Sequence, residues 1–154
     1  ELCVHRNLDR AFIVRTSGLY GIRGSSTKGY TFIERILDQA SNGKPIRVVT
    51  DISFSPSYTL HVAQAIRRIV ESGAYGIYHV TNSGECTWHE YAEEILRQAG
   101  SSAEVSKTTS DEFPTLAKRP KYSPLAHGAI ERLGLPQLPK WQDGIDAYLA
   151  ARAS

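Results

Sequence analysis

Residues 11–51 read AFIVRTSGLYGIRGSSTKGYTFIERILDQASNGKPIRVVTD and place two apolar runs on either side of one amphipathic stretch. The runs at residues 11–17 and 46–51 are short and rich in Ile and Val, as is typical of buried strands in a parallel sheet. Between them, apolar residues recur at helical spacing and end at Asn42-Gly43, a common helix terminus. The segment therefore predicts a strand–helix–strand unit with parallel strands.

Three glycines follow the first run at the spacing G-x-x-G-x-x-G, namely Gly18, Gly21 and Gly24. A dinucleotide-binding loop places a helix N-terminus directly at its glycines, so that free N–H groups meet the pyrophosphate. Here residues 25–29 intervene, and Asp51 lies 27 residues past Gly24, further than the roughly 20 expected of a ribose-binding acid. The pattern favours a glycine-rich active-site loop of another kind over a dinucleotide fingerprint.

Helix and strand patterns continue to the end of the chain. Ser57 is a candidate N-cap for a helix over residues 58–73, and Thr87 with Glu90 forms a capping-box pattern at the start of another. The expected apolar face of the first of these helices comprises Leu60, Val62, Ala63, Ile66, Ile69 and Val70. The other predicted elements are strands at 76–82 and 103–109 and helices at 87–100, 127–134 and 140–153. The fold class is therefore α/β, with βα units, parallel strands and terminal helices.

Composition excludes several classes of protein. The chain has 154 residues, and its 18 basic and 16 acidic residues are spread along it, without the clustering that nucleic-acid binding needs. Cys3 and Cys86 form no C-x-x-C pattern, and the five histidines form no H-x-x-x-H pair, so neither a disulfide framework nor a metal site is expected. No apolar run approaches the roughly 20 residues of a membrane span. These features predict a cytoplasmic protein with no nucleic-acid and no membrane partner.

Seven stretches, in order and spacing, resemble the dTDP-4-dehydrorhamnose reductases, which are extended short-chain dehydrogenase/reductases with a Rossmann-like fold. The stretches are FIVRTSGLYG, KGYTFIERIL, KPIRVVTD, SPSYTLHVAQAI, GIYHVTNSGECTWHEYAEEI, EFPTLAKRPKYSPL and LGLPQLPKWQDGIDAYL. The resemblance implies that the complete enzyme uses NADPH to reduce the 4-keto group of dTDP-4-dehydro-β-L-rhamnose, giving dTDP-L-rhamnose for polysaccharide biosynthesis. A dTDP-sugar is the expected ligand.

The family's nucleotide-binding glycine loop and its catalytic Tyr-x-x-x-Lys pair lie in an upstream half. None of the eight tyrosines of this chain has Lys four residues further on. The resemblance therefore implies that residues 1–154 are the C-terminal, substrate-binding half of a reductase, and that the N-terminal NADP-binding half is absent from the chain. We expect no catalytic residue within this fragment and no activity from it alone.

Four residues of this half carry binding roles by resemblance. Thr16 and Ser17 are expected to border the nicotinamide of NADPH, and Ser17 also the sugar. Gly18 belongs to the nucleotide pocket, where many members have a Trp, so base stacking at this position is in doubt. Arg119 resembles the arginine that meets the substrate diphosphate, a role suited to a planar fork of donors. The alternative for Arg119 is an exposed arginine in a Pro-rich loop.

Other departures from the family leave the function open. Ile52 stands where Gln is common, and His61 stands where Asp is common. A different nucleotide-sugar reductase or epimerase of the same superfamily is therefore one alternative. Another is a non-catalytic subunit, because the regulatory subunit of methionine adenosyltransferase resembles these reductases. A homodimer is a further hypothesis, since association would cover sheet surface that an absent half would bury.

Overall fold

The computed structural model describes residues 1–23, 29–113 and 119–153, in which helices and strands alternate. In chain order the elements are α1 (Leu2–Asn7), β1 (Phe12–Arg15), β2 (Leu19–Tyr20), α2 (Phe32–Ser41), β3 (Ile46–Val49), β4 (Ser53–Phe54), β5 (Ser57–Tyr58), α3 (Thr59–Glu71), β6 (Gly76–His79), β7 (Cys86–Thr87), α4 (Trp88–Gln98), β8 (Val105–Thr108), a 3₁₀ turn (Ser110–Glu112), α5 (Gly128–Arg132) and α6 (Trp141–Ala153). None of the helices in the described ranges combines the length and the apolar character that crossing a membrane requires.

The described strands pair two by two. β1 lies parallel to β6, β2 to β5 and β3 to β8, while β4 and β7 are antiparallel. The expectation that the runs at 11–17 and 46–51 form one strand–helix–strand unit is therefore wrong in its pairing. Both runs are strands, but each takes its parallel partner from further along the chain. Apolar periodicity locates a strand but does not specify which other strand becomes its neighbour.

The helix termini follow local sequence at α2 and α4. The Thr87 hydroxyl accepts from the Glu90 N–H at 3.1 Å, and the Glu90 carboxylate accepts from the Thr87 N–H at 2.7 Å. The predicted capping box at α4 is thus confirmed. Thr31 and Glu34 form a second one at the start of α2.

Ser57 does not cap α3 as predicted. Its hydroxyl donates to the Ser55 carbonyl, and α3 begins at Thr59 with Tyr58 as the N-cap residue. The reason is the pairing of β5 with β2, in which the Ser57 N–H donates to the Gly18 carbonyl at 3.0 Å. Ser57 and Tyr58 therefore have the extended backbone of a strand, and the helix begins after them.

Two apolar clusters form the core. One is built mainly from α2, α4 and α6, and the other packs α3 and α5 against β1 and β6. In α3, Val62 and Ile69 are buried as predicted, but Leu60 and Val70 are 52% and 50% exposed and Ala65 is buried instead. The predicted apolar face is therefore too wide, because Leu60 and Val70 lie outside the helical stripe formed by Val62, Ala65 and Ile69.

Candidate functional site

The predicted binding residues lie where β1 ends. Thr16, Ser17 and Gly18 follow Arg15 directly; Thr16 is exposed, and Ser17 and Gly18 are half-buried. β1 and β6 are parallel, so their carboxyl ends share one edge of the sheet. Open α/β sheets bind ligands at this edge. The structure therefore leaves the Thr16 and Ser17 side chains accessible in a position suited to binding.

Gly18 is fixed as glycine by the surrounding chain. Its φ is +55°, in the left-handed region. A Cβ atom there would lie 2.7 Å from Phe54 Cδ2 and 2.8 Å from the Ser55 carbonyl oxygen. The Phe54 ring thus occupies the space that a side chain at position 18 would need.

Gly21, like Gly18, is packed closely within the chain. A Cβ atom on Gly21 would collide with Thr59 Oγ1, so Gly21 permits the close approach of β2 to the start of α3. Gly24 lies outside the described residues. α2 begins only at Phe32, after its N-cap Thr31. No helix N-terminus therefore stands at Gly18 or Gly21, as predicted for these two glycines.

Arg119 is exposed and belongs to a segment tied to β4. The Lys121 carbonyl accepts from the Ser53 N–H at 2.8 Å, and the Ser123 N–H donates to the Ser53 carbonyl at 3.0 Å. Gly18 packs on Phe54 and Ser55, so residues 53–57 contact both Gly18 and the segment that carries Arg119. The sequence-predicted residues therefore flank one common segment.

Asp51 holds the chain together rather than facing a ribose. One carboxylate oxygen accepts from the Ser110 N–H at 2.8 Å, and the other accepts from the Ser110 hydroxyl at 2.7 Å. Lys121 Nζ lies 3.4 Å away. The hydroxyl bond from Ser110 lowers the pKa of Asp51. Both oxygens are thus engaged within the chain.

Asn82 is a structural residue of the site that sequence reasoning missed. It is fully buried just after β6, and its Oδ1 accepts from the Tyr58 N–H at 2.9 Å. Its Nδ2 donates to His61 Nδ1 at 2.9 Å and to the Pro139 carbonyl at 3.0 Å. The available signal was an asparagine at the end of the apolar run 76–82, since a buried amide must find partners.

His61 makes this junction sensitive to pH. Its Nδ1 can accept from Asn82 only while the ring is neutral. Burial lowers the pKa of His61, and the charge of Asp143 offsets this in part. The folded pKa is thus below the unfolded one, so the contribution to stability is present above about pH 6.5 and is lost as pH falls through the folded pKa.

We therefore expect His61→Gln, which keeps an acceptor but does not titrate, to reduce the loss of stability in acid. The measurement is the urea midpoint of both proteins at about pH 7 and about pH 5.5. Every effect of pH at other sites is common to the two proteins, so only the difference between their losses reports on His61. Equal losses in the two proteins would contradict the prediction.

A concave surface with an aromatic floor, called here the aromatic groove, lies beside Gly18. Its volume is about 870 Å³. The described lining residues are Gly18, Leu19, Tyr20, Gly21, Ile22, Arg23, Tyr30, Thr31, Phe32, Phe54, Tyr58, Thr59, Leu60, Trp88 and Tyr91. Of these only Arg23 carries a charge. Elsewhere in the described ranges, no three His, Cys, Asp or Glu side chains are grouped so as to hold a metal ion.

Comparison with known proteins gives a consistent result. A family model for the RmlD substrate binding domain matches residues 1–154. The spore coat polysaccharide biosynthesis protein SpsK of Bacillus subtilis is 38% identical over 92% of this chain and 48% of its own length. A dTDP-4-keto-6-deoxy-D-glucose reductase of Streptomyces niveus is 33% identical over 86% of this chain and 45% of its own.

A solved structure shows the same fold. The crystal structure of dTDP-4-dehydrorhamnose reductase from Bacillus anthracis in complex with NADP matches with a TM-score of 0.88 at 32% identity. The match covers 96% of this chain and 51% of that one. The predicted α/β fold with parallel strands is therefore confirmed, and the chain spans about half the length of the relatives it matches.

Proposed function

Because the chain belongs to the RmlD substrate binding domain family, we propose that it is the C-terminal, nucleotide-sugar-binding half of an NADPH-dependent dTDP-4-dehydrorhamnose reductase. The observation that carries this proposal is the match over nearly the whole chain to a reductase crystallised with NADP. The proposed reaction is reduction of the 4-keto group of dTDP-4-dehydro-β-L-rhamnose to dTDP-L-rhamnose.

The described residues fit one end of the cofactor. Thr16 and Ser17 are accessible at the carboxyl edge of β1, where their hydroxyls suit polar contacts with a nicotinamide. Gly18 and Gly21 do not suit a pyrophosphate cradle, because packing within the chain fills the space beside them. When bound, NADPH supplies the hydride. This chain contributes orientation of the sugar by Ser17 and pairing of the substrate diphosphate by Arg119.

Turnover tests the proposal. We expect the full-length protein to oxidise NADPH when dTDP-4-dehydro-β-L-rhamnose is added, and residues 1–154 alone to show no turnover. Arg119→Gln is expected to raise KM for the dTDP-sugar roughly tenfold, since one charge-assisted contact is lost. The matched control is Arg67→Gln, because Arg67 is also exposed and pairs with Glu71 on its own helix α3.

Three results would contradict this proposal. Turnover by residues 1–154 alone would place a catalytic group within this half. An unchanged KM in Arg119→Gln would remove the diphosphate role. Full-length protein that reduces no dTDP-4-keto sugar would reject the reductase assignment and favour the non-catalytic subunit.

A second candidate is a reductase of another dTDP-4-keto sugar. It is favoured by the similarity to the Streptomyces niveus enzyme and by Gly18, which leaves no side chain where many family members have a Trp. Comparison of kcat/KM for dTDP-4-dehydrorhamnose and dTDP-4-keto-6-deoxy-D-glucose separates the two. Both are dTDP-sugar reductases, so inhibition of the reaction by added UDP-sugars would instead indicate an enzyme that acts on other nucleotide sugars.

A further inference from the structure

All three nitrogens of the Arg15 guanidinium group, at the end of β1, have partners. Its Nε donates to Glu1 Oε1 at 2.9 Å, and its Nη2 donates to Glu1 Oε2 at 2.6 Å. Its Nη1 lies 3.3 Å from Nε2 of His79, the residue opposite Arg15 on the neighbouring strand β6. Exposed ion pairs contribute little to a structure unless they are bidentate or belong to a network, and this pair satisfies both conditions.

His79 fixes the direction of this guanidinium group. Its Nδ1 lies 3.0 Å from the Ala126 carbonyl oxygen, which can only accept a hydrogen bond, so Nδ1 carries the ring proton. In the neutral ring Nε2 is then the acceptor for Arg15 Nη1. Arg15 therefore donates in two directions, to Glu1 on one side and to β6 on the other.

Glu1 immediately precedes α1, and the packing beneath this helix is open. Val4 lines a cavity of about 110 Å³ between α1 and the strands β1 and β6. A helix of six residues is too short to be stable through its own hydrogen bonds, and the cavity leaves its apolar contacts incomplete. The Glu1 side chain makes no capping hydrogen bond to α1, whereas both of its oxygens accept from Arg15. The ion pair therefore helps to fix the start of α1 relative to β1.

Arg15 also stands next to the candidate ligand contacts, because Thr16 and Ser17 follow it directly. Under the proposed function the catalytic groups belong to the N-terminal half, which leads into Glu1. One side chain thus joins the entry of the chain from that half to the strand end that faces the ligand. The rate of an enzyme is sensitive to such a joint, since a displacement of about 1 Å between reacting groups can cost about a hundredfold.

We propose that Arg15 is a positioning residue of the reductase. Through Glu1 it holds the start of α1, and with it the N-terminal half, in a fixed position at the carboxyl edge of β1. The proton donor of that half then meets the bound sugar at a constant distance. This inference rests on the proposed function and deepens it. Arg15 acts through Glu1 and not on the substrate, so its loss affects the chemical step rather than substrate binding.

The test measures turnover of NADPH and dTDP-4-dehydro-β-L-rhamnose by the full-length protein. Arg15→Gln and Glu1→Gln are each expected to lower kcat by at least about tenfold and to change KM for the dTDP-sugar by less than about twofold. Since the two residues act as one pair, the double variant should lose no more than either single variant. Arg15→Lys, which keeps the charge without the planar fork, should give an intermediate kcat.

Hydrogen exchange of the same proteins gives a readout that does not depend on activity. In Arg15→Gln and in Glu1→Gln the amides of residues 6–8, at the end of α1, are expected to exchange at least about tenfold faster than in the wild type. The amides of α4 should keep their protection. This pattern distinguishes release of α1 from a general loss of stability.

The matched controls are Arg67→Gln and Glu71→Gln. They make the same two changes in another exposed Arg–Glu pair, in which Arg67 Nε lies 2.8 Å from Glu71 Oε1 within α3. Both controls are expected to keep the kcat and KM of the wild type and the exchange rates of residues 6–8.

The outcomes separate the inference from the proposed function. If Arg15→Gln raises KM and leaves kcat unchanged, Arg15 contacts the substrate and the positioning role is overturned. If Arg15→Gln lowers kcat while Glu1→Gln does not, or if neither variant changes kcat or the exchange of residues 6–8, Arg15 does not act through Glu1 and the inference fails. The reductase proposal stands in each of these cases. If the wild type reduces no dTDP-4-keto sugar, both proposals fail.

Discussion

Replacing Asn82 with alanine is expected to lower the free energy of unfolding by about 3 kcal/mol or more. The variant leaves the buried Tyr58 N–H without its partner, removes the bonds that the Asn82 amide donates to His61 and to the Pro139 carbonyl, and opens a small cavity. Each unsatisfied buried group costs about 1–3 kcal/mol. Urea denaturation followed by tryptophan fluorescence measures the loss.

The effect is large because one side chain joins three elements. Asn82 follows β6, Tyr58 is the N-cap residue of α3, and Pro139 and Lys140 lead into α6. The matched control is Asn42→Ala, because the amide of Asn42 is exposed and donates to Asp38 of the helix that Asn42 caps. It should cost about 0.5 kcal/mol or less. Equal losses of unfolding free energy in the two variants would show that the buried hydrogen bonds of Asn82 stabilise the fold no more than the exposed ones of Asn42.

Local sequence predicts the elements of this fold better than their arrangement. The capping box at Thr87 and Glu90 depends on residues three apart, so the sequence is sufficient to place the start of α4. The pairing of β1 with β6 depends on contacts between Phe12 and Gly76 and their neighbours. Nothing in either apolar run specifies the other as its partner, and the strand–helix–strand expectation failed for that reason.

In the candidate site, too, local sequence predicted the elements but not the contacts between them. The end of an apolar run predicted the position of Thr16 and Ser17 at a strand terminus. The packing of Gly18 on Phe54 could not be predicted, because it depends on β2 lying beside β5. The aromatic groove also escaped prediction, since its lining residues come from several separate segments. Its constituent residues look like ordinary core positions when each is taken alone.

Replacing Gly18 with alanine is expected to cost about 2–4 kcal/mol of folding free energy. About 1–2 kcal/mol comes from the left-handed backbone, and the rest from overpacking against Phe54 and the Ser55 carbonyl. Nucleotide-sugar affinity should fall as well, because the backbone at Gly18, next to Ser17, must move away from Phe54 and Ser55 to relieve the contact. Urea denaturation and calorimetry with dTDP measure the two effects. A tryptophan at this position is expected to be worse than alanine, since its ring has still less room.

Gly43→Ala separates the two sources of this cost. Gly43 also has a positive φ, +60°, but a Cβ atom there meets nothing within 4 Å. Its loss should be only the backbone part, about 1–2 kcal/mol. In a Phe54→Leu background, Gly18→Ala should cost less than in the wild type, because the smaller side chain can yield while the Ser55 carbonyl remains. If Gly18→Ala costs no more than Gly43→Ala, and the Phe54→Leu background makes no difference, the Phe54 ring does not restrict position 18.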